Sequence, residues 1–278
     1  MDSDQQVVKS NHIIEASYRL SVAEQRVILS AISQVRRDQP VTDAVLYSVT
    51  AAEIAHLCGT DPKTAYRDLQ SAAERLQTRR VTLHLEPDGI TIRSKRKRVT
   101  VWVQTVDYID HEGRIEMRFG KDILPYLTGL QREFTRYALS DVAKMTSAYG
   151  IRLYELLAQW PNGHREVSLA DLRTWLQLQD RYPSIKDLKR RVLDPAVAQI
   201  NEHSPLILTW SQRKTGRKVT HLIFDYVLKK RLNAPTKTTA KRKIGTLTDA
   251  DIAQKARPGE SWEAARARLK QIPLDLPQ

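Results

Sequence analysis

The chain states one pattern twice. Val49-Thr50-Ala51-Ala52-Glu53-Ile54 returns as Val167-Ser168-Leu169-Ala170-Asp171-Leu172, and Arg67-Asp68-Leu69 returns as Lys186-Asp187-Leu188. The shifts, from 49 to 167 (118 positions) and from 67 to 186 (119 positions), are nearly equal. Two matches at one offset suggest a duplicated unit of about domain length. In each copy a Thr or Ser suited to capping opens a short helix, and a longer helix with basic residues follows. That is the grammar of a helix-turn-helix, a device that lays its second helix in the major groove of DNA.

The 278 residues leave room for two domains, and the 41% hydrophobic share is enough for their cores. The net charge of +13 and pI of about 9.8 speak to partners rather than to fold, and the usual partner is nucleic acid. A membrane surface is the rival, but no apolar run approaches the ~20 residues of a spanning helix. The start, Met1-Asp2-Ser3-Asp4-Gln5-Gln6, is acidic and polar, unlike a secretory signal, so a cytoplasmic protein is expected. The single cysteine, Cys58, allows neither an intramolecular disulfide nor a cysteine-based zinc cage, and its apolar neighbours Ile54 and Leu57 predict a buried thiol.

Ser21 with Glu24 reads as a capping box for a helix over residues 21–37. Thr50 with Glu53 opens a second helix that ends at Gly59, and Thr60 or Asp61 a third, from Pro62 to about Gln77. The period then changes to two: Val81, Leu83 and Leu85 alternate with polar residues, as do Val99, Val101 and Val103, with Trp102 on the other face. Arg114 to Phe119 follows as a strand after Glu112-Gly113. In the second copy, Ser140 and Asp141 precede one long helix to Trp160, stopped by Pro161-Asn162-Gly163. Ser168 with Asp171 caps a short helix to about Leu176. The helix after Ser184 runs to about Asn201, with a bend expected at Pro195, and strands at Leu206–Trp210 and Val219–Leu228 flank a turn at Thr215-Gly216. Three helices followed by a strand pair is the order of a winged helix. The fold class is therefore α+β, two tandem winged-helix domains. They span residues 7–130 (dimerisation and auxiliary DNA contact) and 131–232 (main DNA-reading domain), with a basic, largely disordered tail over 233–278. From Lys229 onward the tail holds 12 Lys/Arg against 5 Asp/Glu, about half the net charge.

The candidate chemistry is cationic. Arg181, Lys186, Lys189, Arg190 and Arg191 against Asp187 give the second copy's window +4, whereas Lys63 and Arg67 against Asp68 give the first copy +1. At 100° per residue Ile185, Val192, Ala196 and Ile200 share an apolar arc, Lys186 and Arg190 lie on one flank, and Arg191 lies with Asp187 on the other. Arginine can pair bidentately with guanine, each good pair giving about 1–3 kcal/mol of discrimination. A solvated helix face is the competing reading. Arg93, Lys95, Arg96, Lys97 and Arg98 crowd one hairpin, and Arg213, Lys214, Arg217 and Lys218 bracket Gly216 in another. Such wings reach phosphates and add salt-sensitive affinity, or else serve as solubilising edges. Asp249-Ala250-Asp251 reads as a capped helix start rather than a metal pair, and Arg152 near Tyr154 and Glu155 as a snorkelling side chain or a structural ion pair. No catalytic residue, metal or cofactor is expected.

Three segments carry a family resemblance. Asn11-His12-Ile13-Ile14-Glu15-Ala16-Ser17-Tyr18-Arg19-Leu20-Ser21 with Glu24-Gln25-Arg26-Val27-Ile28 resembles the opening of the iteron-binding plasmid replication initiators. Tyr149-Gly150-Ile151-Arg152-Leu153-Tyr154-Glu155-Leu156-Leu157 is similar to one of their helices, and Asp187-Leu188-Lys189-Arg190-Arg191-Val192-Leu193-Asp194-Pro195-Ala196 to their second recognition helix. The resemblance covers about residues 7–230 and leaves the tail without a counterpart. It implies two winged-helix domains related by a pseudo-twofold, a monomer that binds repeated origin sites, and a homodimer that represses its own gene. It implies base contacts from Lys186, Arg190 and Arg191, backbone contacts from the hairpin cations, and first-domain contacts from Lys63, Thr64 and Arg67. It also implies a bacterial, nucleoid-associated protein whose partners include double-stranded origin DNA, a host replication initiator, a replicative helicase and chaperones.

Two rivals remain. A winged-helix transcriptional regulator would share every DNA-binding feature. An enzyme that nicks or recombines DNA would need a His-x-His pair or a His-x-x-Arg motif. The seven histidines never stand two apart, and only His111-Glu112-Gly113-Arg114 has the second spacing, in an expected turn rather than on a helix.

Overall fold

Thr50 and Ser168, which open the two copies of the repeat, each end a strand and begin a helix. The Thr50 hydroxyl accepts from the Glu53 amide while Glu53 reaches back to the Thr50 amide, and the Ser168 hydroxyl accepts from the Asp171 amide. Each cap satisfies an amide that the first helical turn leaves orphaned, worth about 1 kcal/mol. The computed structural model describes residues 5–36, 41–86, 98–130 and 133–229. The expected disordered tail, its Asp249-Ala250-Asp251 and the cations Arg93 to Lys97 lie outside these residues.

The first copy runs β1 (Gln6–Ser10), α1 (Asn11–Ile14), β2 (Ser17–Tyr18), α2 (Val22–Ser33), β3 (Tyr47–Thr50), α3 (Ala51–Cys58), α4 (Pro62–Leu76), β4 (Arg80–Leu83), β5 (Arg98–Val101), β6 (Val103–Ile109), β7 (Arg114–Phe119) and β8 (Phe134–Ala138). The second runs α5 (Ser140–Ala143), α6 (Ala148–Ala158), β9 (His164–Ser168), α7 (Leu169–Trp175), α8 (Ile185–Leu188), α9 (Asp194–His203), β10 (Leu206–Thr215) and β11 (Lys218–Leu228). The helix starts follow local chemistry. Ser21 forms the capping box of α2, Asp61 caps α4 with Pro62 in its first turn, and Gly59 ends α3 at φ 66. Leu69 and Leu188, matched in the repeat, are both buried, at 1% and 0% exposure.

All strand pairs are antiparallel. β1 pairs with β8, β4 lies between β2 and β5, β7 between β3 and β6, and β11 between β10 and β9. In both copies the strand that leads into the first helix of the helix-turn-helix pairs with the second strand of a hairpin: β3 with β7, β9 with β11. The hairpin of the first copy that corresponds to β10–β11 is therefore β6–β7. The β4–β5 hairpin, next to the basic cluster, is an addition that pairs with β2 instead.

Two local expectations fail, and a third takes a specific form, for identifiable reasons. The alternation Val99, Val101, Val103 does not run as one strand. The chain crosses between sheets at Trp102, which is fully buried and meets Tyr18 edge-on at 4.9 Å, while Val99 is 45% exposed. Burying a large ring outweighs strict alternation. The helix expected from Ser140 to Trp160 is two helices, because Ser147 accepts from the Gly150 amide as a fresh cap and Gln199 takes the Thr146 amide at 2.6 Å. The third concerns the helix after Ser184. Its irregularity is a π-helical turn over Lys189–Leu193, just before Pro195, closed by the Asp194 amide on the Lys189 carbonyl. Proline lacks the amide that an α-helix would offer four residues back, and the wider turn accommodates the loss.

Both copies fall within one unit, Met1–Asn233, and share a core. Cys58 is buried in it, which pushes its thiol pKa up. The copies are also joined by polar contacts. Arg152 of α6 donates to the carbonyls of Ile14 and Ala16 at 2.8 and 3.1 Å, and Arg165 of β9 pairs with Glu15 at 2.6 Å. Arg152 also pairs with Glu155, so it is a structural ion-pair residue rather than part of a reactive constellation.

Candidate nucleic-acid interface

The second copy assembles a cationic surface from one helix and one hairpin. Ser184 caps α8 by accepting from the Lys186 amide at 3.2 Å. Leu188, Val192, Leu193, Ala196 and Ile200 are buried, which fixes the opposite face outward. Lys186, Arg190 and Arg191 are exposed on that outer side, with Lys189 and Arg181 half-buried beside them. Lys186 and Arg191 make no ion pair among the described residues.

Arg190 is not free. Its guanidinium donates to Asp187 at 3.1 Å. A uniform helical wheel puts Asp187 on Arg191's flank, and the structure puts it against Arg190. The two are a surface pair, 64% and 41% exposed, of the kind worth about 0–1 kcal/mol, so a stronger partner can displace the carboxylate. Lys189 reaches the wing: its ammonium sits 5.3 Å from the Trp210 ring centroid. Arg181 stacks on Tyr182, 5.4 Å from the ring.

The wing is long because β10 and β11 pair over their whole lengths, from Leu206 opposite Leu228 to Thr215 opposite Lys218. Gly216 turns the tip at φ 61, which favours glycine. Lys214, Arg217 and Lys218 are exposed there, whereas Arg213 is held at 2.8 Å by Glu166 on β9. The predicted cations of the second copy thus fall on two adjoining elements, with Arg190 and Arg213 already paired.

The first copy differs in charge. Lys63 and Arg67 are exposed on α4 and Thr64 is half-buried near its start, where the Thr64 amide donates to Asp61 at 3.1 Å. The corresponding hairpin, β6–β7, turns through Asp110-His111-Glu112-Gly113 and is acidic, not basic. Tyr66 of α4 donates its hydroxyl to the Asp110 carboxylate, and that bond raises the Tyr66 pKa. His111 is 81% exposed beside Glu112, and Arg114 is tied to Glu112 and Glu116. The only His-x-x-Arg spacing therefore lies across a turn between strands. Arg98, the described member of the basic cluster, sits in β5 and pairs with Glu86 at 2.6 Å. Sequence reasoning found the strand after Glu112-Gly113 but not that this hairpin corresponds to β10–β11, because the pairing of β7 with β3 is a contact between residues far apart in the chain.

Among the described residues no group of three or more His, Cys, Asp or Glu is placed to hold a metal, and no helix is long and apolar enough to cross a membrane.

The chain is similar to known proteins along most of its length. It is 26% identical over 238 residues to a replication initiation protein of Escherichia coli, covering 83% of this chain and 72% of that one. It is 22% identical over 249 residues to the PI protein of Escherichia coli, covering 78% and 81%. Its fold matches the crystal structure of the Pi initiator protein in complex with iteron DNA at a TM-score of 0.69, with 21% identity, over 82% of this chain and 99% of that one. The model of the initiator replication protein WH1 domain matches residues 6–158, and that of the initiator Rep protein WH2 domain matches residues 168–226. With both matches in order across two winged-helix units, the chain belongs to the initiator replication protein family.

Proposed function

We propose that this protein initiates replication of a plasmid by binding repeated origin sites, iterons, as a monomer, and that as a dimer it represses its own gene. The observation that carries the reading is the pair of helix-turn-helix units within one unit of structure, in a fold that matches a protein solved on iteron DNA. The domain over residues 131–232 supplies base contacts from Lys186, Arg190 and Arg191, with Lys189 beside them on the DNA. Arg181, Arg213, Lys214, Arg217 and Lys218 add contacts to the phosphates. The domain over residues 7–130 places α4 on another part of the site through Lys63, Thr64 and Arg67, and provides the self-association surface. Its corresponding hairpin is acidic at the tip, which suits contact with protein better than with phosphate. A host initiator, the replicative helicase and chaperones are the remaining proposed partners. The protein binds DNA and catalyses no covalent step on it.

Footprinting on the plasmid that carries the gene tests this reading. Protection of direct repeats, with loss of plasmid maintenance when they are deleted, is the expected result. Protection of a lone palindrome with maintenance unaffected would make the protein a transcriptional regulator. Nicked or covalently attached supercoiled DNA would make it an enzyme.

A further inference from the structure

The turn that joins α7 to α8 leans on the first copy. Ser17, on β2, donates its hydroxyl to the Thr174 carbonyl at 2.7 Å. Gln177 returns the contact, its side-chain amide donating to the Ser17 carbonyl at 3.2 Å. Gln177 holds φ at +50, in the left-handed region that a residue with a Cβ rarely adopts, so the surrounding bonds keep it there. Arg152 of α6, which holds the Ile14 and Ala16 carbonyls of the first copy, also donates to the Trp175 carbonyl at 3.4 Å.

Arg173 carries this anchorage on to the recognition helix. One arm of its guanidinium donates to the carbonyls of Leu178 and Arg181 at 3.1 and 3.0 Å, and the other to those of Tyr182 and Pro183 at 2.7 and 3.4 Å. Ser184, the cap of α8, follows at once. The planar five-donor fork can gather several carbonyls in a fixed geometry, which an ammonium cannot.

The other end of the chain of contacts reaches α4. Ser17 and Tyr18 pair with Thr82 and Val81 of β4, which follows α4 after a short turn. Arg75 of α4 and Arg79 both bind the fully buried Glu24 of α2, at 3.1 and 2.7 Å. From α4 to α8 these hydrogen bonds and ion pairs form a continuous path, joined by the backbone where Arg79 enters β4, Arg173 precedes Thr174 and Pro183 precedes Ser184.

We propose that Ser17, Gln177 and Arg173 are positioning residues that fix the separation of α4 and α8, so that the protein accepts a bipartite site at one spacing only. This rests on the reading that both helices contact one duplex. An inserted base pair moves one part of a site by about 3.4 Å and turns it by about 35° relative to the other. A rigid junction cannot follow that change, and a loosened one can.

The test compares binding to one iteron with binding to the same iteron carrying one extra base pair between the parts protected by the two domains. Gln177→Gly removes the tie to Ser17 and suits φ +50 without strain, so it keeps the fold. Ser17→Ala is the independent second variant, and melting temperatures are recorded for both. Wild type is expected to lose about tenfold or more on the inserted site, and each variant less than about threefold, with similar affinity for the unaltered site. A merely structural role would lower the melting temperature without changing spacing tolerance. Variants that discriminate as strongly as wild type overturn the proposal. A Lys63→Ala, Arg67→Ala double variant that binds the unaltered site as wild type does would instead overturn the reading beneath it, because α4 would then not touch the DNA.

Discussion

The Lys189 ammonium rests 5.3 Å from the centre of the Trp210 ring, joining the recognition helix to the first strand of its wing. A cation over an indole gains about 0.5–1 kcal/mol at a partly exposed site. The contact also biases the lysine toward the side of the helix that adjoins the hairpin. Trp210→Leu keeps an apolar strand residue and removes the perch. Affinity for an iteron is expected to fall about two- to fivefold, with little change in melting temperature. Fluorescence anisotropy on a single labelled site measures it. If Lys189→Ala weakens binding and Trp210→Leu does not, the ring has no part in placing the cation.

Arg190 is held by Asp187 at 3.1 Å, and on the proposed function it exchanges that carboxylate for a base. Releasing the exposed carboxylate costs little, whereas a bidentate pair with guanine discriminates by about 1–3 kcal/mol. Arg190→Ala should therefore weaken specific binding by about that amount and relax one base preference. Asp187→Asn should strengthen binding to specific and random DNA alike, because it removes a negative charge from the face. Competition titrations against random duplex separate the two effects, and an equal loss on both DNAs in Arg190→Ala would assign Arg190 to the phosphates.

On the wing, pairing decides which cations matter. Lys214 and Lys218 are exposed and make no ion pair among the described residues, while Arg213 is bound to Glu166 at 2.8 Å. Replacing Lys214 and Lys218 by Ala should lower the slope of log affinity against log salt by up to about 0.9 for each phosphate that is no longer neutralised. Arg213→Ala should lower it less. Titrations across a salt series report the slopes, and a larger effect at Arg213 than at Lys214 would show that Glu166 releases its partner on binding.

What could be read from the chain follows the range of the forces involved. Thr50, Ser168, Ser21 and Asp61 act within three residues, so the caps and helix starts were legible, and the nearly equal offsets of the repeats carried the tandem architecture. The Asp187–Arg190 pair escaped because Asp187 has a cation both three and four residues on, Arg190 and Arg191, and a wheel does not decide which of the two it takes. Trp102 escaped because its burial depends on Tyr18, far away in sequence. Arg173 and Gln177 look like surface residues of an ordinary turn. Their role arises from where Ser17 stands, which only the folded chain reveals.

The buried cluster around Glu155 makes a stability prediction with a definite sign. Glu155 is 1% exposed and paired with Lys9, itself 2% exposed. Tyr137 donates to it at 2.6 Å, and Arg152 lies 3.3 Å away. Burial alone would raise the Glu155 pKa, but the Lys9 ammonium and the Arg152 guanidinium prevail and hold it below the ordinary carboxylate value. Burial pushes Lys9 down, against the pull of Glu155. A carboxylate with a depressed folded pKa contributes stability that is present above its unfolded value, about 4.3, and lost as pH falls through the folded value. Glu155→Gln leaves two cations without their partner, which costs about 3–5 kcal/mol. In the variant, Lys9 loses what held its pKa up, so the unfolded chain binds more protons than the folded one and stability rises with pH. Urea melts from about pH 3 to about pH 9 should show wild type losing stability below about pH 4.3, and the variant gaining more than wild type toward alkaline pH, because Lys9, already lowered in wild type, is lowered further without Glu155. Parallel profiles for the two proteins would mean that Glu155 is not the charge that holds this cluster together.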